Sequence, residues 1–272
     1  MQLYELENTK DFCMAFYALI PAAGIGTRFR GEIPKQYLAL AGKPMLWHAV
    51  ASVCVAPVQS VFVVLAPQDR EFARYDWSAF AGKLEPLYCG GETRRDSVYN
   101  GMVAAMAGVD ADDWMLVHDA ARCLVTPADA EAVLAAAQPT GAALPVAPIA
   151  DTVKRVVEGR AVETLDRSAL GLALTPQAFR ISLLSEALDK AARDGFAGTD
   201  CASLVERLGI EVRTCPGRAG NFKVTEPEDL ERAYHDDILP KKLAMDAEYL
   251  RTRSAVGALR ILWQTLGGRR RS

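Results

Sequence analysis

The sequence predicts an α/β fold, a mostly parallel β-sheet with helices on both faces, from which one β-hairpin arm protrudes. Three observations carry this expectation. Short apolar runs at 16–21, 60–66, 114–119 and 141–147 alternate with helical segments at about 44–56, 94–107, 127–138, 181–193 and 200–208, and strands separated by helices pair in parallel through crossovers. The apolar runs are nearly continuous, as in strands covered on both sides. Residues 151–166, DTVKRVVEGRAVETLD, instead interleave β-branched and charged residues around Glu158-Gly159-Arg160, the pattern of an exposed hairpin. An exposed arm within such a domain is suited to reach a second subunit.

In chain order, FYALIP (16–21) is a β-forming run followed by the turn Ala22-Ala23-Gly24-Ile25-Gly26-Thr27-Arg28 and then by Pro34-Lys35-Gln36-Tyr37. Small residues at Ala22, Ala23, Gly24 and Gly26 let backbone N–H groups approach a ligand, and consecutive amides form an anion nest. Arg28 and Lys35 add two cations. Gly-x-Gly-x-x-Phe lacks the third glycine of a dinucleotide fingerprint, and G-x-x-x-x-G-K-[ST] is absent, so neither an NAD site nor a P-loop is indicated. SVFVVLA (60–66) reads as a buried strand. The segment Cys89-Gly90-Gly91-Glu92-Thr93-Arg94-Arg95-Asp96-Ser97 either turns the chain or cradles a nucleobase, with Ser97 a candidate helix cap.

WMLVHD (114–119) ends in Asp119 and continues into Ala120-Ala121-Arg122. A carboxylate at the C-terminal end of a parallel strand lies where open α/β sheets bind ligands. Asp119 either caps the following turn or, beside a phosphate site, serves as a Mg²⁺ ligand, because that ion takes one or two carboxylates plus phosphate oxygens. GAALPVA (141–147), the arm and two helical segments follow. Pro227-Glu228-Asp229 opens a further helix. Lys223, just before it, is either an ordinary surface lysine or a third cation at the site.

The chain has 272 residues, 50% apolar and 24% charged, with a formal net charge of −3. That composition belongs to a folded protein, not a disordered one. The length fits one or two domains, and no apolar run approaches the roughly 18 residues of a membrane-spanning helix. Six cysteines form no C-x-x-C pair and there are three histidines, so no structural zinc site is expected. Isolated thiols behave as small core hydrophobes and suit a reducing cytoplasm. Residues 1–13 carry no apolar export segment, and Met14 is an alternative start.

Residues 241–272 carry eight Lys/Arg against Asp246 and Glu248, a charge of +6, which leaves −9 on the remainder. An acidic body does not suit nucleic acid. Leu239, Leu243, Leu250, Leu259, Leu262 and Leu266 fall at roughly helical spacing. They read as a helix packed on the body or on a dimer mate, followed by a solvated basic end. The alternative is a basic amphipathic helix for a membrane surface or a partner. The expected organisation is an extension at 1–14, one domain at 15–235, and a helical extension with a basic tail at 236–272.

The ordered segments PAAGIGTRFRGEIPKQYLALAGKPML, GGETRRDSVYNGM, VHDAAR, DTVKR, LDRSAL, LTPQAF, TDCASLVERLG and NFKVTEPEDL resemble the IspD family. These are the 2-C-methyl-D-erythritol 4-phosphate cytidylyltransferases of the non-mevalonate isoprenoid pathway, and the likeness covers residues 15–235. Related polyol-phosphate cytidylyltransferases share the opening loop; DTVKR together with TDCASLVERLG is more similar to the methylerythritol enzyme.

The resemblance implies a Rossmann-like, GT-A-like nucleotidyltransferase fold acting in the cytoplasm. It also implies CTP and methylerythritol phosphate as substrates, Mg²⁺ as cofactor, and a homodimer embraced by the arm. It further implies that Ala22, Ala23, Gly91, Glu92 and Ser97 hold the cytidine portion, alongside the loop glycines Gly24 and Gly26. Arg28, Lys35 and Lys223 would bind the triphosphate and act as the catalytic cations, and Asp119 would serve the metal. Arg122, Thr152, Arg167, Thr175 and Thr199 would bind methylerythritol phosphate, some across the dimer. Three positions depart from the family pattern: Cys123 stands where proline is usual, and Cys201 and Gly220 stand where acidic residues are common.

The implied chemistry suits these residues. A phosphate monoester has a second pKa of about 6 and is mostly dianionic at neutral pH, so no general base is needed. In-line attack on an α-phosphorus builds negative charge on equatorial oxygens, which cations and backbone donors stabilise. The competing readings are a cytidylyltransferase for ribitol or glycerol phosphate, and a non-catalytic nucleotide-binding protein whose working part is the basic tail. A third is that residues 236–272 are the remnant of, or linker to, a fused pathway partner.

Overall fold

The computed structural model describes residues 14–24, 33–54 and 57–235. Gly26, Arg28, residues 1–13 and the expected 236–272 extension lie outside the described residues. In chain order, β1 (Phe16–Pro21) is followed by a 3₁₀ turn at Lys35–Tyr37, the short pair β2 (Ala39–Leu40) and β3 (Lys43–Pro44), and α1 (Met45–Val53). Next come β4 (Val58–Val64), β5 (Leu84–Leu87), α2 (Arg94–Ala105), β6 (Trp114–Val117), α3 (Pro127–Ala137) and β7 (Ala142–Pro148). The arm is β8 (Val153–Val157) with β9 (Arg160–Leu165). β10 (Gly171–Ala173), β11 (Gln177–Arg180), α4 (Ile181–Arg193), α5 (Cys201–Glu206), β12 (Arg213–Pro216) and α6 (Pro227–His235) complete the described chain.

Eight strands form one sheet in the order β10-β7-β11-β6-β1-β4-β5, with β12 paired to β7. β5, β4, β1 and β6 run parallel to one another. β11 lies antiparallel between β6 and β7, β10 is antiparallel to β7, and β12 is parallel to it. The sheet is therefore mostly parallel, as expected, with β10 and β11 reversed. These two strands have three and four residues, too few to show a period in the sequence. Their pairing with β7 slips by two residues between Ala173 and Ala178, and Thr175 sits in that interruption.

The side chains of β1 divide the core. Phe16, Ala18 and Ile20 enter one apolar layer, with Leu46 and Val50 of α1 and Val133 and Leu134 of α3. Tyr17 and Leu19 enter the other, with Val98 and Met102 of α2, Leu184 and Leu188 of α4, and Leu204 of α5. This is the two-residue alternation of a strand with helices on both faces. Complete burial of Leu19 and of Ile20 is worth about 2 kcal/mol each relative to exposure. The arm lies outside both layers. Its two-residue loop has positive φ at Glu158 (48°) and Gly159 (76°), the geometry that matches the twist of a tight hairpin.

Candidate active site

Because β1, β4, β5 and β6 are parallel, the loops that leave their C-terminal ends meet at one edge of the sheet, where such sheets bind ligands. The amide of Ala22 donates to Val64 O and that of Gly90 to Leu65 O, both at 2.8 Å. Both loops are thus tied to the end of β4, at Val64 and Leu65. A Cβ on Gly90 would lie 2.2 Å from Ala23 Cβ, and one on Gly91 would lie 2.5 Å from Asp96 Cβ, so only glycine allows the approach. The Lys35–Tyr37 turn is anchored by its other residues. Buried Gln36 donates to Ala22 O at 2.6 Å, and Tyr37 donates to Asp69 at 2.8 Å while stacking on Tyr75.

These loops enclose a cavity of about 180 Å³, lined by Ala22, Ala23, Gly24, Lys35, Gly91, Glu92, Arg94, Ser97, Asp119 and Lys223. Asp119 is its electrostatic centre. Arg94 Nε donates to Asp119 Oδ1 and Lys223 Nζ to Oδ2, both at 2.8 Å, with Arg122 Nε 3.9 Å from Oδ2. Burial alone would raise the Asp119 carboxyl, but the charges of Arg94 and Lys223 outweigh it and hold the group well below the usual carboxylate range. Among the described residues, Arg94 Nη2 and Arg122 Nε are buried with no hydrogen-bond partner. Buried donors are normally paired, and of these two Arg94 lines the cavity, so its Nη2 is a donor that an acceptor oxygen entering there can meet.

The structure brings most of the expected residues together. Lys35 and Lys223 meet at one wall: Lys35 Nζ donates to Val224 O at 3.2 Å, across 189 residues of sequence. Ser97 is not the helix cap. Thr93 caps α2 in a reciprocal pair with Asp96, while Ser97 Oγ accepts from the Gly91 amide (3.2 Å) and donates to Thr93 O (3.0 Å), which fixes the glycine loop. Arg122 stands behind the cavity, its Nη1 donating to Asn221 O at 2.7 Å. Thr175 is buried beneath Asp119 and accepts from its amide at 3.1 Å. Thr152 and Arg167 lie at the exposed base of the arm, away from this cavity, where Arg167 donates to Ala150 O. Thr199 is on a smaller recess beside Arg94 and Cys201.

Arg94 is the site residue that the sequence reading missed. Its signal lay in helix phase: Arg94, Val98 and Met102 share the inward face of α2, whereas Arg95 points its charge to Asp96 and Phe196 O. Of the departures from the family pattern, Cys123 is fully buried in an apolar cluster with Leu124 and Val224. Cys201 Sγ accepts from Arg94 Nη1 at 3.7 Å, and burial pushes its thiol pKa up, so it meets the guanidinium as a neutral group. At Gly220 an added Cβ would touch only Arg218, at 3.9 Å.

The loop that carries Lys223 is clamped from behind by Arg218, whose Nε and Nη2 both reach Asp129 (2.9 and 2.6 Å) while Nη2 also donates to Leu124 O. Arg218→Ala should destabilise the fold by about 2 kcal/mol, below the value for a fully buried pair because the arginine is partly exposed. Urea denaturation checks this, and a midpoint equal to that of the parent would remove the clamp from the account.

The family model described as "IspD: 2-C-methyl-D-erythritol 4-phosphate cytidylyltransferase" matches residues 16–236. The chain belongs to the IspD family. A curated relative named 2-C-methyl-D-erythritol 4-phosphate cytidylyltransferase from Nitrosomonas eutropha is 48% identical over 225 residues, covering 80% of this chain and 94% of that protein. One of the same name from Dechloromonas aromatica is 47% identical over 221 residues, covering 80% and 95%. Among solved structures, the enzyme of that name from Thermus thermophilus superposes with a TM-score of 0.65 at 34% identity, covering 80% of this chain and 96% of that one. The match to the IspD family thus spans the described residues from β1 to α6.

Proposed function

We propose that this chain transfers CMP from CTP to 2-C-methyl-D-erythritol 4-phosphate, releasing pyrophosphate. The observation that carries the reading is the convergence of Lys35, Lys223 and Arg94 on one cavity that is also lined by the backbone of Ala22–Gly24 and Gly91. A phosphate oxygen of the acceptor forms a bond to the α-phosphorus. The bond from that phosphorus to the bridging oxygen breaks, and pyrophosphate leaves with the electron pair. The acceptor is already ionised, so the residues have charge to cancel and no proton to remove. Lys35 and Lys223, with Arg28 by family resemblance, balance the triphosphate, and preorganised amides add donors where charge grows. Ser97 keeps the Gly91 loop in place for the cytidine portion.

Among the described residues no cluster of three or more metal-ligating side chains exists, and Asp119 is the carboxylate at the centre of the cations. That donor set fits a Mg²⁺ ion whose remaining ligands are phosphate oxygens and water, with Asp119 as the protein ligand. Bound there, the ion would neutralise phosphate charge. No described helix is long and apolar enough to cross a membrane, and free cysteines at 54, 89, 123, 201 and 215 support a cytoplasmic reading.

The reading includes a homodimer. The arm exposes Val157 and Val162 on one face and Val156 on the other, and Leu172 lies exposed beyond its base; a second copy gripped by the arm would cover them. Thr152 and Arg167 would then contribute to the neighbour's site. Val157→Lys combined with Val162→Lys should yield monomers in sedimentation and reduced turnover, and an undisturbed dimer would exclude the arm from the interface.

The test of the reaction is pyrophosphate release with CTP, ATP, GTP and UTP against methylerythritol, ribitol and glycerol phosphates. The expected result is turnover with CTP and methylerythritol phosphate. Preference for another acceptor would reassign the substrate, and binding of CTP without turnover on any acceptor would overturn the enzymatic reading.

A further inference from the structure

The Asp119–Arg122 turn presents two of the site's charged groups, and its shape is held by a side chain that touches neither charge. His118 is fully buried at the end of β6. Its Nε2 is 3.1 Å from the carbonyl of Arg122 and its Nδ1 is 2.9 Å from Thr175 Oγ1. A carbonyl only accepts, so Nε2 carries the proton. The Thr175 hydroxyl has a proton to place and Nδ1 is the acceptor beside it, so Nδ1 keeps its lone pair and accepts from the threonine. That hydroxyl in turn accepts the Asp119 amide at 3.1 Å. Each donor in the chain has one acceptor, and each direction is determined. The turn is closed by Arg122 N to Asp119 O, and the His118 amide is bound to Leu19 O on β1, both at 2.9 Å. Asn221 joins the same assembly, giving its Nδ2 to Thr175 O at 2.8 Å and receiving Arg122 at its carbonyl.

We propose that His118 is a positioning residue: as the Nε2–H tautomer its imidazole spans from the Arg122 carbonyl to the Thr175 hydroxyl and so fixes the turn that presents Asp119 and Arg122. The proposal rests on the cytidylyltransferase reading for its kinetic consequence, but the tautomer is independent of it. The spacing is what an imidazole supplies, with two ring nitrogens at opposite ends of a rigid plane. Glutamine reaches the Arg122 carbonyl with an N–H but leaves Thr175 without its acceptor, and leucine serves neither end.

Two measurements test this. In ¹⁵N-labelled protein, the His118 ring signals, assigned by their loss in His118→Gln, should show a slowly exchanging proton on Nε2 and none on Nδ1. A proton on Nδ1, or rapidly averaged tautomers, would overturn the proposal. In kinetics, His118→Leu should lower kcat about tenfold or more, with KM for CTP changing less than about threefold and His118→Gln intermediate. An unchanged kcat, or a loss confined to KM for CTP, would also overturn it. Should His118→Leu fail to fold, His118→Gln carries the kinetic comparison. Absence of turnover in the parent protein would refute the cytidylyltransferase reading, while the ring signals would still decide the tautomer.

Discussion

Lys35→Ala is expected to lower kcat for pyrophosphate release about 10²-fold or more, the scale of losing a principal transition-state donor. The loss should appear without unfolding, because the turn that carries Lys35 is held by its neighbours. Gln36 is bound to Ala22 O and Tyr37 to Asp69, and neither contact involves the lysine side chain. Lys35 faces the cavity with Lys223, so alanine removes a charge where a dianion meets a polyanion. Initial rates with saturating CTP and methylerythritol phosphate measure the effect, and circular dichroism checks the fold. A near-normal kcat would remove Lys35 from the catalytic group.

Asp119→Asn is expected to abolish most turnover and also to destabilise the protein. In the parent, one carboxylate compensates Arg94 and Lys223 at 2.8 Å each and stands near Arg122. An amide of the same shape neutralises none of them and turns an N–H toward one of the cations. Breaking a buried ion pair from one side costs about 3 kcal/mol, equivalent to a fall in Tm of roughly 6–12 °C for a domain of this size. The native carboxyl lies below its unfolded value of about 4, so its contribution is fully present above that pH and is lost as pH falls through the native value. The two proteins should therefore converge in stability on acidification below about pH 4. CTP, itself an anion, should raise the Tm of the variant at least as much as that of the parent. A variant as stable as the parent at pH 7 would show that the cations do not depend on Asp119.

The outcome for individual residues shows which parts of this site were readable. Asp119 and the Ala22–Gly24 loop were legible because each follows a strand, and a parallel sheet delivers such loops to one edge; Lys35 was legible as a cation in the segment after the glycine loop. Helix α4 was expected at 181–193 and occupies Ile181–Arg193, since its apolar residues keep one helical phase. β5, β11 and β12 have four residues each and carry polar, charged or proline residues, whereas the equally short β6 is wholly apolar and reads as a buried strand. Whether Thr93 or Ser97 caps α2 is open in the sequence because both are capping residues near its start, and only the Asp96 side chain returning to the Thr93 amide chooses between them. Arg94 was passed over beside Arg95, since adjacent arginines look alike until the helix turns one inward.

By itself the sequence determined the alternation of strands and helices, the glycine loop, the exposed arm and the family, because periodicity and turn chemistry act between near neighbours. The tertiary structure decided which charges meet. It set Lys223 and Arg94 on Asp119, across 104 and 25 residues of chain, and placed Thr175 and His118 beneath the turn that presents it. Those pairings depend on which strands lie side by side and where their ends align, and long-range packing of the whole sheet selects that arrangement.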